Sequence, residues 1–305
     1  MIQTPGAGRY APSPSGDLHI GNLRTALLAW LFARSTERRF VLRIEDLDDR
    51  SRDGVAETQL DDLRALGIEW DDEPTVQSRR THIYDAVIDD LTAAGRTFEC
   101  FCSRREIHAA TTAPHAPPGS YPGTCRDLDN TQRAARRAAG REPALRLRSD
   151  THSFTITDTL CGEFSGAVDD FVLRRGDGTA AYNLAVVIDD GAEGVDQVVR
   201  ADDLLTSAPR QAYLATLIGV PVPQYAHVPL VLNTSGVRLA KRDGAVTRAD
   251  LAMVGVDDTR LLSLLASSLG LGTVGENLTA ADVLRRFDPA ALPNGPWILD
   301  PDDLW

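Results

Sequence analysis

One stretch constrains the fold more than any other. Residues Arg9 to Arg24, RYAPSPSGDLHIGNLR, set a Pro/Ser/Gly-rich turn directly before His19-Ile20-Gly21-Asn22 and an apolar-periodic run through Ala26, Leu27, Trp30 and Leu31. That order of residue types reads as a strand end, a tight loop and a helix start. Small residues at Ser13, Ser15, Gly16 and Gly21 let a bulky ligand approach the backbone, and unpaired amides at a helix start suit an anion. A phosphate-bearing ligand is expected there. This stretch has no GxGxxG and no GK[ST], so His19 supplies the donor in place of a Rossmann glycine fingerprint or a P-loop.

From this stretch to residue 98, strand-like runs alternate with helical periodicity: a short strand before Pro12, a helix from Asn22, the strand FVLRIED from Phe40, a helix over about Gly54 to Leu66 and another near His82 to Ala94. Such alternation predicts an α/β fold, the first half of a doubly wound, Rossmann-type parallel sheet, with ligands at the carboxyl ends of the strands. Both the 9–22 loop and Glu45 fall there. Residues 99–179 interrupt the rhythm with Pro and Gly crowded over 114–123, an Arg/Ala helix, and LRLRSDTHSFTITDTLCGEF, which reads as short antiparallel strands. An inserted module is expected. The α/β pattern returns from Asp170, where AYNLAVVIDD suits a buried strand or a buried helix equally. The expected division is 1–98 and 180–242 for the two halves of the catalytic sheet, 99–179 for the insertion, and 243–305 for a short, mainly helical C-terminal region with a loop-like end.

The composition, 43% hydrophobic and 25% charged, is that of a globular protein, and no apolar run reaches the ~20 residues of a membrane helix. MIQTPGAGRY lacks the features of a secretory signal, so the cytoplasm is expected. The net charge of −12 is unevenly spread. Residues 96–148 carry ten Arg against five acids, a local +5 that leaves −17 elsewhere. A basic middle fits a nucleic-acid phosphate backbone touching one domain only, or simply a solvated helix face. Three of the four cysteines, Cys100, Cys102 and Cys125, lie within 26 residues and suggest a metal site before disulfides. Zinc prefers four ligands, and His108, His115 or Tyr121 is available as the fourth, with histidine ranked first on chemistry alone. Cys161 stands apart and is read as a small buried residue. Of 32 basic residues 31 are Arg, and the single Lys, Lys241, invites a chemical reason, since a compact ammonium does what a planar guanidinium does not.

These residues resemble a known family. PSPSG-x-LHIGN is similar to the HIGH signature of class I aminoacyl-tRNA synthetases, with Asn22 in the last position, and RYAPSPSG followed by RIEDLD at Arg43 to Asp48 resembles the glutamyl branch. Arg238-Leu239-Ala240-Lys241-Arg242 looks like a degraded KMSKS signature that keeps its second lysine. The short length resembles the glutamyl-queuosine branch, which would leave no anticodon-binding domain. The resemblance implies ATP with Mg²⁺ as substrate, activation of L-glutamate, and transfer to queuosine in tRNA(Asp) by a monomer. It implies His19 and Lys241 as catalytic residues, with Gly16, Gly21 and Asn22 beside them on ATP. It implies Arg9, Tyr10, Ala11, Pro12, Ser13, Glu45, Tyr182 and Arg200 around glutamate. Two guanidinium forks and one acid complement two carboxylates and an ammonium. The assignment puts Arg9 and Tyr182 on the side-chain carboxylate, Arg200 on the α-carboxylate and Glu45 on the ammonium, with exchange of the two Arg left open. The C-x-C…Y-x3-C pattern of that branch matches Cys100, Cys102, Tyr121 and Cys125, which implies a structural Zn²⁺ and moves Tyr121 ahead of the histidines. Alternatives are a catalytic core that charges tRNA(Glu), or an inactive zinc-containing RNA-binding module.

Overall fold

A computed structural model describes residues 6–103, 105–107, 121–239 and 246–300. Strand β1 (Ala7–Tyr10) leads through the Pro/Ser/Gly loop into helix α1 (Ile20–Arg34), and β2 (Arg39–Ile44) returns parallel to β1. Then come α2 (Val55–Ala65), the two-residue β3 (Thr75–Val76), α3 (Thr81–Ala93), β4 (Thr97–Cys100), α4 (Asn130–Ala138), β5 (Ala144–Leu147), β6 (Ser153–Asp158), β7 (Gly162–Ala167) and β8 (Val172–Arg174). The chain continues through α5 (Tyr182–Glu193), β9 (Val195–Ala201), α6 (Ala208–Ile218), β10 (Gln224–Val228), β11 (Val231–Asn233), α7 (Arg248–Met253), α8 (Asp258–Ser268), α9 (Ala280–Arg286) and β12 (Trp297–Leu299).

The main sheet has seven strands in the order β3-β2-β1-β9-β10-β6-β7, and every neighbouring pair is parallel except β6 with β7. Strand order reverses between β1 and β9, which is where an open parallel sheet binds its ligand. Alternation along β2 places helices on both faces. Phe40 and Leu42 pack with Leu23, Leu27 and Leu31 of α1, whereas Val41 packs with Ala208 and Ala212 of α6. Gly8 permits the close seating of α1, because a Cβ there would lie 2.8 Å from that of Ala33.

Three expectations need correction. The β6–β7 hairpin, assigned to the insertion, hydrogen-bonds to the main sheet through Tyr225 opposite Asp158. The antiparallel pattern tells that the two strands pair with each other but not what their outer edge meets. Strands β4, β5 and β8 form a separate three-stranded sheet, beside which lies a small core of Phe98, Cys100, Phe101, Tyr121 and Cys125. The loop-like end contains β12, which pairs in parallel with β11, and Leu261 and Leu265 of α8 share the α1 core. Cys161 is exposed rather than buried, at the tip of the hairpin turn. The ambiguous run AYNLAVVIDD is the helix α5, ended by Gly194 at φ 70°. Among the described residues no helix is long and apolar enough to cross a membrane.

Candidate active site

Arg9, Tyr10, Ala11, Pro12, Ser13, Gly16, His19, Asn22, Glu45, Tyr182 and Arg200 line a single cleft of about 710 Å³ at the strand-order reversal. Gly21 stands behind it, where a Cβ would press to 3.0 Å on the His19 ring. Lys241, Ala240 and Arg242 lie outside the described residues. So do His108 and His115.

His19 does something the motif alone does not reveal. It is the N-cap of α1: its Nδ1 accepts from the amides of Gly21 at 3.1 Å and Asn22 at 3.3 Å, while Asn22 Oδ1 accepts from the His19 amide at 3.2 Å. An accepting Nδ1 leaves the ring proton on Nε2 in the neutral imidazole. Ile20 N donates to Val246 O and Leu23 N to His19 O. The amides at the helix start are therefore taken, which corrects the expectation that they wait unpaired for an anion. His19 itself lines the cleft, so its imidazole rather than the helix-start amides is the candidate group for a phosphate oxygen. Gln59, which sequence reading passed over, fixes the loop by donating to Ser13 O at 3.1 Å and Gly16 O at 2.7 Å.

Beneath the cleft lies a charge network hidden in the apolar sequence of α5. Arg43, fully buried, meets Asp190 at 2.7 Å and Glu193 at 2.7 Å, and its Nε lies 3.5 Å from Glu45. Arg9 donates to Val199 O at 3.3 Å and has Nε 3.4 Å from Asp190. Asp189 accepts from Gln77, Arg80 and Tyr84, each at 2.8 Å. Burial pushes the Glu45 carboxyl up to about 7, with Arg43 and Arg9 opposing the rise. An incoming ammonium favours the ionised form. Amine binding should therefore weaken by about tenfold per pH unit below that pKa and level off above it, because the proton must first leave. Calorimetry of a primary-amine ligand of this cleft from pH 5.5 to 8.5 checks this, and Glu45→Gln should flatten the profile. The linkage also runs through folding. A carboxyl raised in the folded state contributes stability below its unfolded pKa, and that contribution is lost as pH rises through about 7.

Tyr182 opens α5 and is 42% exposed, so it is not the core tyrosine its apolar neighbours suggest. Its ring borders both the 710 Å³ cleft and a second cavity of about 820 Å³ that runs toward the cysteines. Arg200, 5% exposed, donates to His227 Nε2 at 3.0 Å, Gln211 Oε1 at 2.8 Å and Leu204 O at 3.3 Å.

The sulfurs of Cys100, Cys102 and Cys125 all lie within 4.8 Å of one another, with Cys102 and Cys125 3.5 Å apart. Tetrahedral Zn–S bonds of about 2.3 Å imply sulfur spacings of about 3.8 Å, so the cluster fits that ion. The Tyr121 hydroxyl accepts from the Cys125 amide at 2.7 Å and the Arg146 guanidinium lies 3.8 Å over its ring, while burial and the Cys100 thiol push the phenol's pKa well up, so the oxygen would serve as a phenolate donor only under the pull of a bound cation.

A doubly wound sheet whose reversal point carries an HIGN turn beside a charged cleft of about 710 Å³ defines a class I aminoacyl-tRNA synthetase catalytic domain. The family profile described as "tRNA synthetases class I (E and Q), catalytic domain" matches residues 7–305. Within that class the chain belongs to the glutamyl-Q tRNA(Asp) synthetase family. It is 62% identical to the glutamyl-Q tRNA(Asp) synthetase of Nocardia farcinica over 99% of this chain and 97% of that protein. It is 44% identical to the one from Symbiobacterium thermophilum over 95% and 94% of the two chains. In fold it is similar to a glutamate tRNA ligase from Elizabethkingia meningosepticum solved with its amino acid, with a TM-score of 0.82 at 23% identity over 99% of this chain and 68% of that one.

Proposed function

We propose that this protein activates L-glutamate with ATP and transfers it to the queuosine base at the wobble position of tRNA(Asp). The observation that carries the first half is the gathering of Arg9, Arg200 and Glu45 on one cleft, two cations and one acid for a metabolite with two carboxylates and one ammonium. The second half is supported by the 62% identity to a glutamyl-Q tRNA(Asp) synthetase along nearly the whole of both chains.

In the first step a carboxylate oxygen of glutamate attacks the α-phosphorus, the bond to the bridging oxygen breaks, and pyrophosphate leaves. The nucleophile is already ionised, so no general base is needed. The protein's work is positioning and charge stabilisation. Glu45 holds the ammonium, Arg9 with Tyr182 and Arg200 hold the two carboxylates, and His19 Nε2–H and Lys241 meet the phosphate oxygens. Mg²⁺ would neutralise charge on the departing pyrophosphate. In the second step a hydroxyl oxygen of the acceptor attacks the acyl carbon, AMP departs, and the hydroxyl proton passes to the phosphate. Pyrophosphate exchange into ATP that requires glutamate, measured without RNA, tests the activation half. No exchange with glutamate, at any concentration that saturates ATP use, would overturn it.

We also read the cysteine cluster as a structural zinc site completed by Tyr121, which ties β4 to the turn before α4. Protein purified without added metal should carry close to one equivalent of zinc by mass spectrometry of the metal, and Cys125→Ser should lose most of it. Less than a tenth of an equivalent in the unmodified protein contradicts the reading.

A further inference from the structure

We propose that His227, oriented by Asp158, is a positioning residue that aims Arg200 at its ligand carboxylate and leaves that arginine's charge uncompensated by the protein. The inference rests on the reading of Arg200 as an amino-acid-binding residue and names the device that holds it.

Asp158 ends β6 and is 2% exposed. Its Oδ1 accepts from the amides of Leu160 and Cys161, both at 2.9 Å, and its Oδ2 accepts from the His227 amide at 3.0 Å and faces His227 Nδ1 at 2.6 Å. Four donors converge on one carboxylate. Burial alone would raise its pKa, but the hydrogen bonds from His227 and the two turn amides bring it to about 2. An ionised Asp158 can only accept, so Nδ1 carries the proton. On the other side of the ring, the Arg200 guanidinium can only donate, so Nε2 must be bare. Both neighbours select the same neutral tautomer. Burial keeps the imidazole from charging, and its ring stacks on Tyr225 at 5.8 Å, which fixes the plane.

Arg200 is buried, yet its three protein partners are an imidazole nitrogen, an amide oxygen and a backbone carbonyl, all neutral. Among the described residues no carboxylate lies within ion-pair distance of it, in contrast to Arg43, which meets two at 2.7 Å. Burying a guanidinium without a counter-ion is costly, and a ligand carboxylate removes that cost on binding. Three neutral acceptors fix the direction of the fork while leaving its charge for the ligand. A carboxylate oxygen standing where Nε2 stands would accept from the same fork but neutralise it beforehand.

The test compares two variants of full-length protein in glutamate-dependent pyrophosphate exchange, with the tautomer read separately by ¹⁵N NMR of the native chain, the His227 signal being assigned by its loss in His227→Gln. A glutamine amide can donate to Asp158 and still offer oxygen where Nε2 stood; an asparagine amide reaches Asp158 but not Arg200. His227→Asn should raise the glutamate KM by about tenfold or more and leave the ATP KM within about twofold, while His227→Gln stays within about threefold of the native glutamate KM. A pyridine-type Nε2 beside a protonated Nδ1 is the expected spectrum. An unchanged glutamate KM in His227→Asn overturns the proposal. So does an equal loss in both variants accompanied by a lowered melting temperature, the signature of core packing alone. A protonated Nε2 in the native spectrum overturns it without any activity measurement. Native protein that shows no glutamate-dependent exchange refutes the functional reading instead, and the spectrum still decides the tautomer.

Discussion

Arg200→Ala is expected to raise the glutamate KM by about 100-fold or more, because truncation removes a charge-assisted fork worth about 3 kcal/mol or more where water cannot replace it. The effect should be confined to the amino acid. Arg200 is buried among His227, Gln211 and Leu204 on β9 and its neighbours, and no phosphate-contacting group of the reading depends on it. The ATP KM should therefore stay near its native value in exchange assays at saturating glutamate. Loss of melting temperature should be small, since removing an uncompensated buried cation relieves a desolvation cost while opening space beside Tyr225. An Arg200→Lys variant should recover little, as a single ammonium cannot reproduce a planar fork held at three points.

Lys241→Ala should cut the rate of glutamate activation by about 10² to 10³ with little change in glutamate affinity, the loss typical of removing one preorganised charge from a developing anion. Lys241 lies outside the described residues, but the chain on both sides is tied to the cleft. Leu239 N donates to Val231 O at 3.4 Å and Arg238 pairs with Asp203, while Val246 O accepts from Ile20 N at 2.9 Å at the start of α1. The described residues on either side of it thus border the cleft, at Arg238 and Leu239, and the start of α1, at Val246. Single-turnover formation of glutamyl-adenylate measures the chemical step directly. Unchanged adenylate formation in Lys241→Ala would remove the lysine from the chemistry.

Much of this arrangement was legible in the chain because it is written locally. A strand, a small-residue loop and a helix start are consecutive, and their types survive in α1, β1 and β2. The cysteines announce themselves by spacing, and three sulfurs do gather within 4.8 Å. Features that depend on distant partners were not readable. Asp158 and His227 are 69 residues apart, and nothing in the sequence around either says that they meet. Asp189, Asp190 and Glu193 close an apolar run with nothing beside them in sequence to mark a partner, yet they form the floor under Arg9 and Arg43. The helix-start amides looked available until His19 folded back to cap them, a local geometry that the letters HIGN do not encode. The C-terminal strand escaped notice for a related reason: three residues of β12 acquire their conformation from β11, not from their own propensity.

The most direct test of the central claim is transfer of radiolabelled glutamate by the purified protein to tRNA(Asp) bearing queuosine, to the same tRNA lacking queuosine, and to tRNA(Glu). The account predicts label only on the queuosine-bearing tRNA(Asp). Label on tRNA(Glu), or equal label on tRNA(Asp) with and without the modified base, would contradict it.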